Sequence, residues 1–176
     1  MEEIEVPVEH LTEEINHHAS HETGWFMGVA LSSAFLAALA AVAALLAGHY
    51  SNEAMLEQLH ASDTWSYYQA KGIKSAVLSS KLELLEQMKL KPRAEDQEKV
   101  VEYKKEQSEL MEKGKELEVE SKVHLQKHVI FARSVTMFQV AIAISAIAVL
   151  TRKRRFWYFG LCFGVFGLGF FIQGFF

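Results

Sequence analysis

The chain has 176 residues, of which half are hydrophobic and 23% are charged. The two classes fall in separate blocks, which excludes an ordinary soluble domain of this length and is typical of a membrane protein. A formal net charge of −4 does not indicate nucleic-acid binding, and the single cysteine, Cys162, excludes an intrachain disulfide. Long stretches of Ala, Leu, Glu and Lys with only two prolines predict an all-α fold.

Residues 1–24 form an acidic, histidine-rich segment without lysine or arginine. The helical spacing of Val8, Leu11 and Ile15 fits a short amphipathic helix, and the acidity fits a disordered segment equally well. His17 and His21 lie four residues apart, so one helical face can offer both to a metal ion. Solvated or pH-sensitive histidines are the alternative interpretation.

Residues 25–48 are uncharged and long enough to cross a bilayer as the first span. Small residues recur in it at intervals of four, including Ala37 and Ala41. This spacing lets helix backbones approach closely in lipid and predicts a packing surface. The alternative is that the alanines only fill an apolar helix.

Residues 49–128 form a long polar insert that predicts an antiparallel helical hairpin. No turn signal interrupts residues 49–89, and the pattern breaks at Lys91 and Pro92. The residue before a proline leaves the helical region, and proline suits the first position of a new helix. We therefore expect a turn near residues 90–93 between two arms of about 42 residues, each about 60 Å long.

Each arm carries a stripe with alternating steps of three and four, the spacing of a coiled-coil seam. The second-arm stripe consists of Val100, Tyr103, Gln107, Leu110, Gly114, Leu117, Ser121, His124, His128 and Phe131. The first-arm stripe consists of Leu56, Leu59, Asp63, Ser66, Ala70, Ile73, Val77, Ser80 and Leu84. A further stripe at Leu78, Leu82 and Leu85 then lacks a partner, which predicts packing against another subunit.

Folding the arms at Lys91 and Pro92 pairs positions whose numbers add to about 182–184. This register predicts a polar cluster at the root of the hairpin, formed by His60, Asp63, His124 and His128, with His49 near Arg133. Two interpretations stay open: a device that fixes the register, and a pH-sensitive latch in which Asp63 favours a protonated histidine. The aromatic cluster Trp65, Tyr67 and Tyr68 fits core packing better than ligand stacking.

Residues 129–150 and 156–176 are the second and third spans, joined by a turn at residues 151–155. Four cations crowd this turn, namely Arg152, Lys153, Arg154 and Arg155. Lys and Arg close to span ends stay cytoplasmic, so we expect a cytoplasmic N-terminus and a periplasmic hairpin. In the third span Gly160 and Gly164 form a GxxxG motif that Gly167 continues, which predicts close helix packing.

Several stretches together resemble a bacterial family of three-span membrane proteins, the domain of unknown function 4337. The resemblance is carried by residues 52–54, residues 61–74 (ASDTWSYYQAKGIK), residues 146–154, Trp157–Tyr158, the closing Gly174–Phe176 and the histidine-rich acidic start. It implies a multi-pass protein of the bacterial inner membrane, and it implies no activity.

No nucleophile with a supporting base and no glycine-rich phosphate loop occurs in the sequence, so we expect neither an enzyme nor a cofactor. The preferred hypothesis is a homo-oligomeric membrane scaffold whose partners are the lipid bilayer and further copies of itself. The alternative is an oligomeric ion channel or a proton-coupled, stator-like protein, for which Gln139, Ser145, Ser32 and Ser33 are the polar candidates in the spans.

Overall fold

The computed structural model describes the backbone of residues 8–176 and the side chains of residues 24–176. It contains three helices, α1 (Val8–Gln87), α2 (Ala94–Thr151) and α3 (Arg154–Gln173). No strand occurs in the described backbone, which confirms the all-α fold class. Each helix includes a segment long and apolar enough to cross a membrane. The side chains of the candidate metal ligands, His17 and His21, lie outside the described residues.

Helix α1 ends earlier than the proline predicts, because a capping motif closes it first. Lys89 adopts a left-handed conformation with φ of 55°. The Leu90 N–H donates to the Leu85 carbonyl at 2.9 Å, and the Lys89 N–H donates to the Glu86 carbonyl at 2.9 Å. These two bonds define a Schellman motif, which satisfies carbonyls at the helix end. The connection therefore covers residues 88–93 and begins about two residues before the expected turn.

Helix α2 ends with the same motif. Arg152 has φ of 53°, the Lys153 N–H donates to the Ala148 carbonyl and the Arg152 N–H donates to the Val149 carbonyl, both at 3.2 Å. Glycine usually occupies such a position, since a side chain there costs about 1 kcal/mol or more. The basic turn is thus shorter than expected, because α3 already begins at Arg154.

The chain divides into two compact units. The span unit contains the residues up to Ala47 together with Val129–Phe176, and the arm unit is Gly48–His128.

The core of the span unit is formed where α2 meets small residues of the other two helices. Phe138 and Ala141 of α2 are fully buried and pack with Leu36, Ala40 and Ala43 of α1. On α3 the buried residues are Gly160, Gly164 and Gly167. A side chain at Gly160 would lie 3.0 Å from the Ala141 carbonyl oxygen, and one at Gly164 would lie 3.0 Å from Leu36. The GxxxG face therefore packs within the chain.

In the arm unit the α2 stripe predicted from the sequence is buried as expected. Of its nine positions from Val100 to His128, Gly114 and Ser121 are buried and the other seven are half-buried. The ten-residue pattern therefore identifies the side of α2 that packs.

The prediction for the α1 stripe is wrong. Leu56, Leu59, Ile73, Val77 and Leu84 are 50–65% exposed, and the remaining four members of the stripe are exposed as well. The packed stripe of α1 begins two positions earlier, which is about 200° around the helix. It consists of Ala54, Glu57, Ala61, Thr64, Tyr68, Lys71, Ser75, Leu78, Leu82 and Leu85. Leu78, Leu82 and Leu85, which we expected to face another subunit, thus belong to the half-buried face of their own unit.

The physical reason is side-chain size. Ala54, Ala61 and Ser75 are buried on the packed face, and small side chains let two helices approach closely. The two stripes of α1 have the same period. The leucine-rich stripe has more apolar surface, so the sequence pattern favoured it as the packed face.

Candidate functional site

The arm unit contains three layers of polar contacts between α1 and α2, and we describe each as a candidate site. The contacts join residues whose numbers add to between 174 and 183. Most of these sums are lower than the predicted 182–184, by up to about two helical turns and typically by about one.

The first layer, which we name the polar base, contains Tyr50, Glu57, Ser121, His124 and Lys127. The His124 Nδ1 lies 3.0 Å from a Glu57 carboxylate oxygen, and the buried Ser121 hydroxyl donates to the Ala54 carbonyl at 2.8 Å. The Tyr50 ring lies 5.8 Å from the His124 ring, with the Lys127 ammonium 5.5 Å from the centre of the Tyr50 ring. Each polar group of this layer is therefore matched by a neighbour.

The predicted root cluster is only partly assembled. His124 and the half-buried His128 lie on the packed side of α2, whereas His60 and Asp63 are exposed on α1. The acid beside His124 is Glu57, because Asp63 belongs to the opposite face of α1.

The remaining members of the predicted cluster, His49 and Arg133, are both exposed. The His49 ring lies 5.3 Å from the neighbouring Tyr50 ring. Arg133 belongs to the span unit.

The second layer is an indole packed on a glycine. The Trp65 Nε1–H donates to a Glu118 carboxylate oxygen at 2.8 Å, and a side chain at Gly114 would meet the Trp65 ring at 3.1 Å. The Tyr68 ring packs edge-on against Trp65, 5.4 Å away, while Tyr67 is 65% exposed. Trp65 and Tyr68 thus serve in packing, with the indole N–H of Trp65 satisfied by Glu118, as the sequence favoured.

The third layer consists of two ion pairs near the connection. Lys71 pairs with Glu106, and the Lys71 ammonium also lies 5.0 Å from the Tyr103 ring centre. The hydrogen bond that the Lys71 ammonium donates to the Glu106 carboxylate raises the pKa of Lys71 above its ordinary value. The Lys81 ammonium donates to an Asp96 carboxylate oxygen at 2.7 Å, and this bond lowers the pKa of Asp96. Both ion pairs therefore link α1 and α2.

Sequence reasoning missed Glu57 and the Trp65–Gly114 contact. The sequence did contain a signal for the Trp65–Gly114 contact. A glycine within a packed stripe leaves space that a large side chain of the opposite helix can fill. Among residues 24–176, no group of three or more His, Cys, Asp or Glu side chains is placed to hold a metal ion.

In the span unit, aromatic side chains lie beside the basic turn. Arg152, Lys153, Arg154 and Arg155 are all exposed, and the Arg154 guanidinium lies 5.6 Å from the Trp25 ring centre. The Trp157 Nε1–H donates to the Ser32 hydroxyl at 3.1 Å, and the Trp157 ring packs against Gly28. This combination of tryptophan and arginine is typical of a membrane–water interface.

The polar residues of the spans have different surroundings. The buried Ser145 hydroxyl donates to the Ala141 carbonyl at 2.8 Å within its own helix, and Ser32 bonds to the Val29 carbonyl. Gln139, at the middle of the second span, is exposed, and so are Ala37 and Ala41 of the first span. The glycines predicted for helix packing therefore face inward, and these two alanines face outward.

The comparisons with known proteins agree with the sequence motifs. No curated protein and no solved structure matches the chain. A family model, described as a domain of unknown function (DUF4337), matches residues 25–176, which include both units except for the N-terminal segment. The chain therefore belongs to the family defined by the domain of unknown function DUF4337.

Proposed function

We propose that this protein is a homo-oligomeric scaffold of the bacterial inner membrane, with the arm unit as a coiled-coil hairpin on the periplasmic side. The observation that carries the proposal is the exposed amide of Gln139. It lies midway along the second span, and no partner for it exists among the described residues. An amide without a partner is costly in hydrocarbon. Because an amide both donates and accepts, the same residue of a second copy satisfies it.

The outward-facing alanines support the same proposal. Ala37 and Ala41 are exposed one turn apart on α1, and small residues at this spacing allow close contact between helices in lipid. The glycines of α3 do not enter this argument, because side chains of their own chain cover them.

A scaffold explains the arm unit better than an enzyme does. Its polar residues pair with each other across the seam, as with Glu57 and His124 or Lys81 and Asp96. Such pairs fix register and alignment between helices. Residues used in this way hold the two helices of the arm unit together.

The oligomer is tested by native mass measurement in mild detergent. We expect several copies for the wild type and weaker association for Gln139→Leu, by roughly 3- to 30-fold, the range for one hydrogen bond between membrane helices. Gln173→Leu is the matched control, because Gln173 is also exposed but lies at the end of α3. A wild type that stays monomeric at all protein concentrations would refute the proposal.

The periplasmic position of the arm unit rests on the four cations of residues 152–155. Its test is labelling of single cysteines with a membrane-impermeant thiol reagent, in a background where Cys162 is replaced by serine. We expect Lys91→Cys to react in intact spheroplasts and Lys153→Cys to react only after permeabilisation. The reverse result would show that the orientation is wrong.

Gln139 also favours the second candidate, an oligomeric ion channel. If copies surround an axis, the exposed amides can line it. Of the polar candidates in the spans, Ser145 and Ser32 bond to carbonyls of their own helices, which leaves Gln139 and Ser33. Ion flux in reconstituted liposomes that disappears with Gln139→Leu, while the oligomer persists, would favour the channel over the scaffold.

A further inference from the structure

We propose that the exposed leucine-rich face of α1 in the arm unit binds the same face of a second copy, in parallel and in register. This inference rests on the proposed homo-oligomer and specifies which surface of the arm unit joins its copies. The face, which we name the outer stripe, consists of Leu56, Leu59, Asp63, Ser66, Ala70, Ile73, Val77, Ser80 and Leu84.

The first argument is a contrast in charge between the two helices of the same unit. Of the 24 exposed residues of α1 between Gly48 and Gln87, only 5 are Asp, Glu, Lys or Arg. Of the 21 exposed residues of α2 between Ala94 and His128, 13 are charged. Both helices belong to one compact unit, so α2 provides an internal reference for a face that meets water. The outer stripe is depleted of charge, as the centre of a protein interface is.

The second argument is the period of the outer stripe. Its nine positions follow each other in steps of three and four without exception over 29 residues. A helix surface that packs on another helix along its length needs this 3.5-residue repeat, whereas a solvated surface does not. At 1.5 Å per residue the stripe is about 42 Å long.

The third argument is the area available. Leu56, Leu59, Ile73, Val77 and Leu84, with the adjacent Met55 and Tyr67, are each 50–65% exposed. At roughly 100 Å² of exposed surface for each of these side chains, one copy offers about 700 Å², near the ~800 Å² per partner of a standard stable interface.

The residues beside the stripe allow a second copy in particular. Copies inserted in a membrane in one orientation present α1 in parallel, so each position faces its own equivalent. In a parallel coil the flanking pairs are Met55 with His60, Ser62 with Tyr67, Gln69 with Lys74, and Ala76 with Lys81. None of these pairs joins two like charges.

Two open grooves border the stripe and can receive side chains of the second copy. One, of about 540 Å³, is lined by Met55, Leu59 and Leu125 among others. The other, of about 440 Å³, is lined by Ile73, Val77 and Leu78 among others. A knob of one helix inserts into such a space between residues of its neighbour.

Asp63 is the only charged residue of the outer stripe. In a parallel, in-register coil the Asp63 carboxylates of the copies approach each other, which weakens association. Asp63→Leu should therefore strengthen association of the copies by roughly tenfold or more, since burying a leucine changes an equilibrium constant by over a decade.

The test is disulfide crosslinking in native membranes, in the Cys162→Ser background. Ile73→Cys should form dimers between copies, whereas Val101→Cys should not. Val101 is the matched control, because it is an apolar residue of similar exposure, 69% against 65%, on the charged face of α2. The substitutions Ile73→Glu and Val101→Glu provide the second comparison by native mass, and only Ile73→Glu should weaken the oligomer.

The outcomes separate this inference from the proposed function. A monomeric wild type overturns both. An oligomer that depends on Gln139 but gives no dimer at Ile73→Cys overturns the assignment of the outer stripe alone. Crosslinking of Ile73→Cys to a protein of different mass also overturns it, because the occupant would then be a different partner.

Discussion

Gly167 on α3 provides the sharpest test of packing in the span unit. A Cβ atom there would lie 2.7 and 2.8 Å from two ring carbons of Phe138 and 3.2 Å from Met137. Ordinary contacts between carbon atoms lie near 3.5–4.0 Å, and Phe138 is completely buried, so its ring has no space to move into. The Gly167 carbonyl also accepts a hydrogen bond from the Ser134 hydroxyl at 2.8 Å. Gly167→Ala must therefore push α3 away from α2.

We expect Gly167→Ala to cost about 1–3 kcal/mol, the usual range for overpacking a core. Gly169→Ala is the matched control, because a side chain there meets nothing within 4 Å. Both substitutions gain the same helix propensity, up to about 1 kcal/mol, so their difference isolates the packing cost. Reversible unfolding in mixed micelles measures both variants. Equal stability of the two would refute the close approach of α3 to Phe138.

Three further predictions concern the arm unit and are all measured by thermal or denaturant unfolding of the full chain in detergent. Lys89→Gly should stabilise the fold by up to about 1 kcal/mol, because it relieves a side chain at φ of 55°; Lys91→Gly, without that conformation, should not. Gly114→Val should destabilise by about 1–3 kcal/mol, because it displaces the Trp65 ring, whereas unchanged stability would contradict the indole–glycine contact. Lys81 lowers the pKa of Asp96 from its ordinary value of 3.8. The Lys81–Asp96 ion pair therefore stabilises the folded state above pH 3.8, and this stabilisation is lost as the pH falls through the lowered pKa of Asp96. Asp96→Asn should abolish that part of the acid dependence, and an unaltered pH profile would show that the pair is not formed.

The sequence predicted the features that depend on composition and chain-local signals. Blocks of apolar residues identified three helices able to cross a membrane, and the ten-position stripe identified the packed side of α2. Gly160 and Gly164 were identified as packing residues, although the sequence could not tell whether their partner was the same chain. That distinction depends on which helix lies opposite, and here Ala141 and Leu36 supply the contact.

The packed face of α1 could not be predicted, because two stripes of this helix share one period and lie on opposite sides. The higher apolar content predicted that the stripe of Leu56, Ile73 and Leu84 is packed. In the structure the buried stripe is the one that contains Ala54, Ala61 and Ser75. Close packing of two helices requires that large side chains of one helix face small residues of the other, as Trp65 faces Gly114. The spacing of apolar residues in the sequence does not show which residues face each other. The error also moved Asp63 into the predicted cluster and left out Glu57.

The most direct test of the proposed scaffold is an electron cryo-microscopy image of the protein in lipid nanodiscs. The account predicts particles of several copies with closed symmetry, with density for every arm unit on one side of the disc and α1 helices of neighbouring copies in contact. Discs that contain one copy each, or arm units on both sides of the same oligomer, would contradict it.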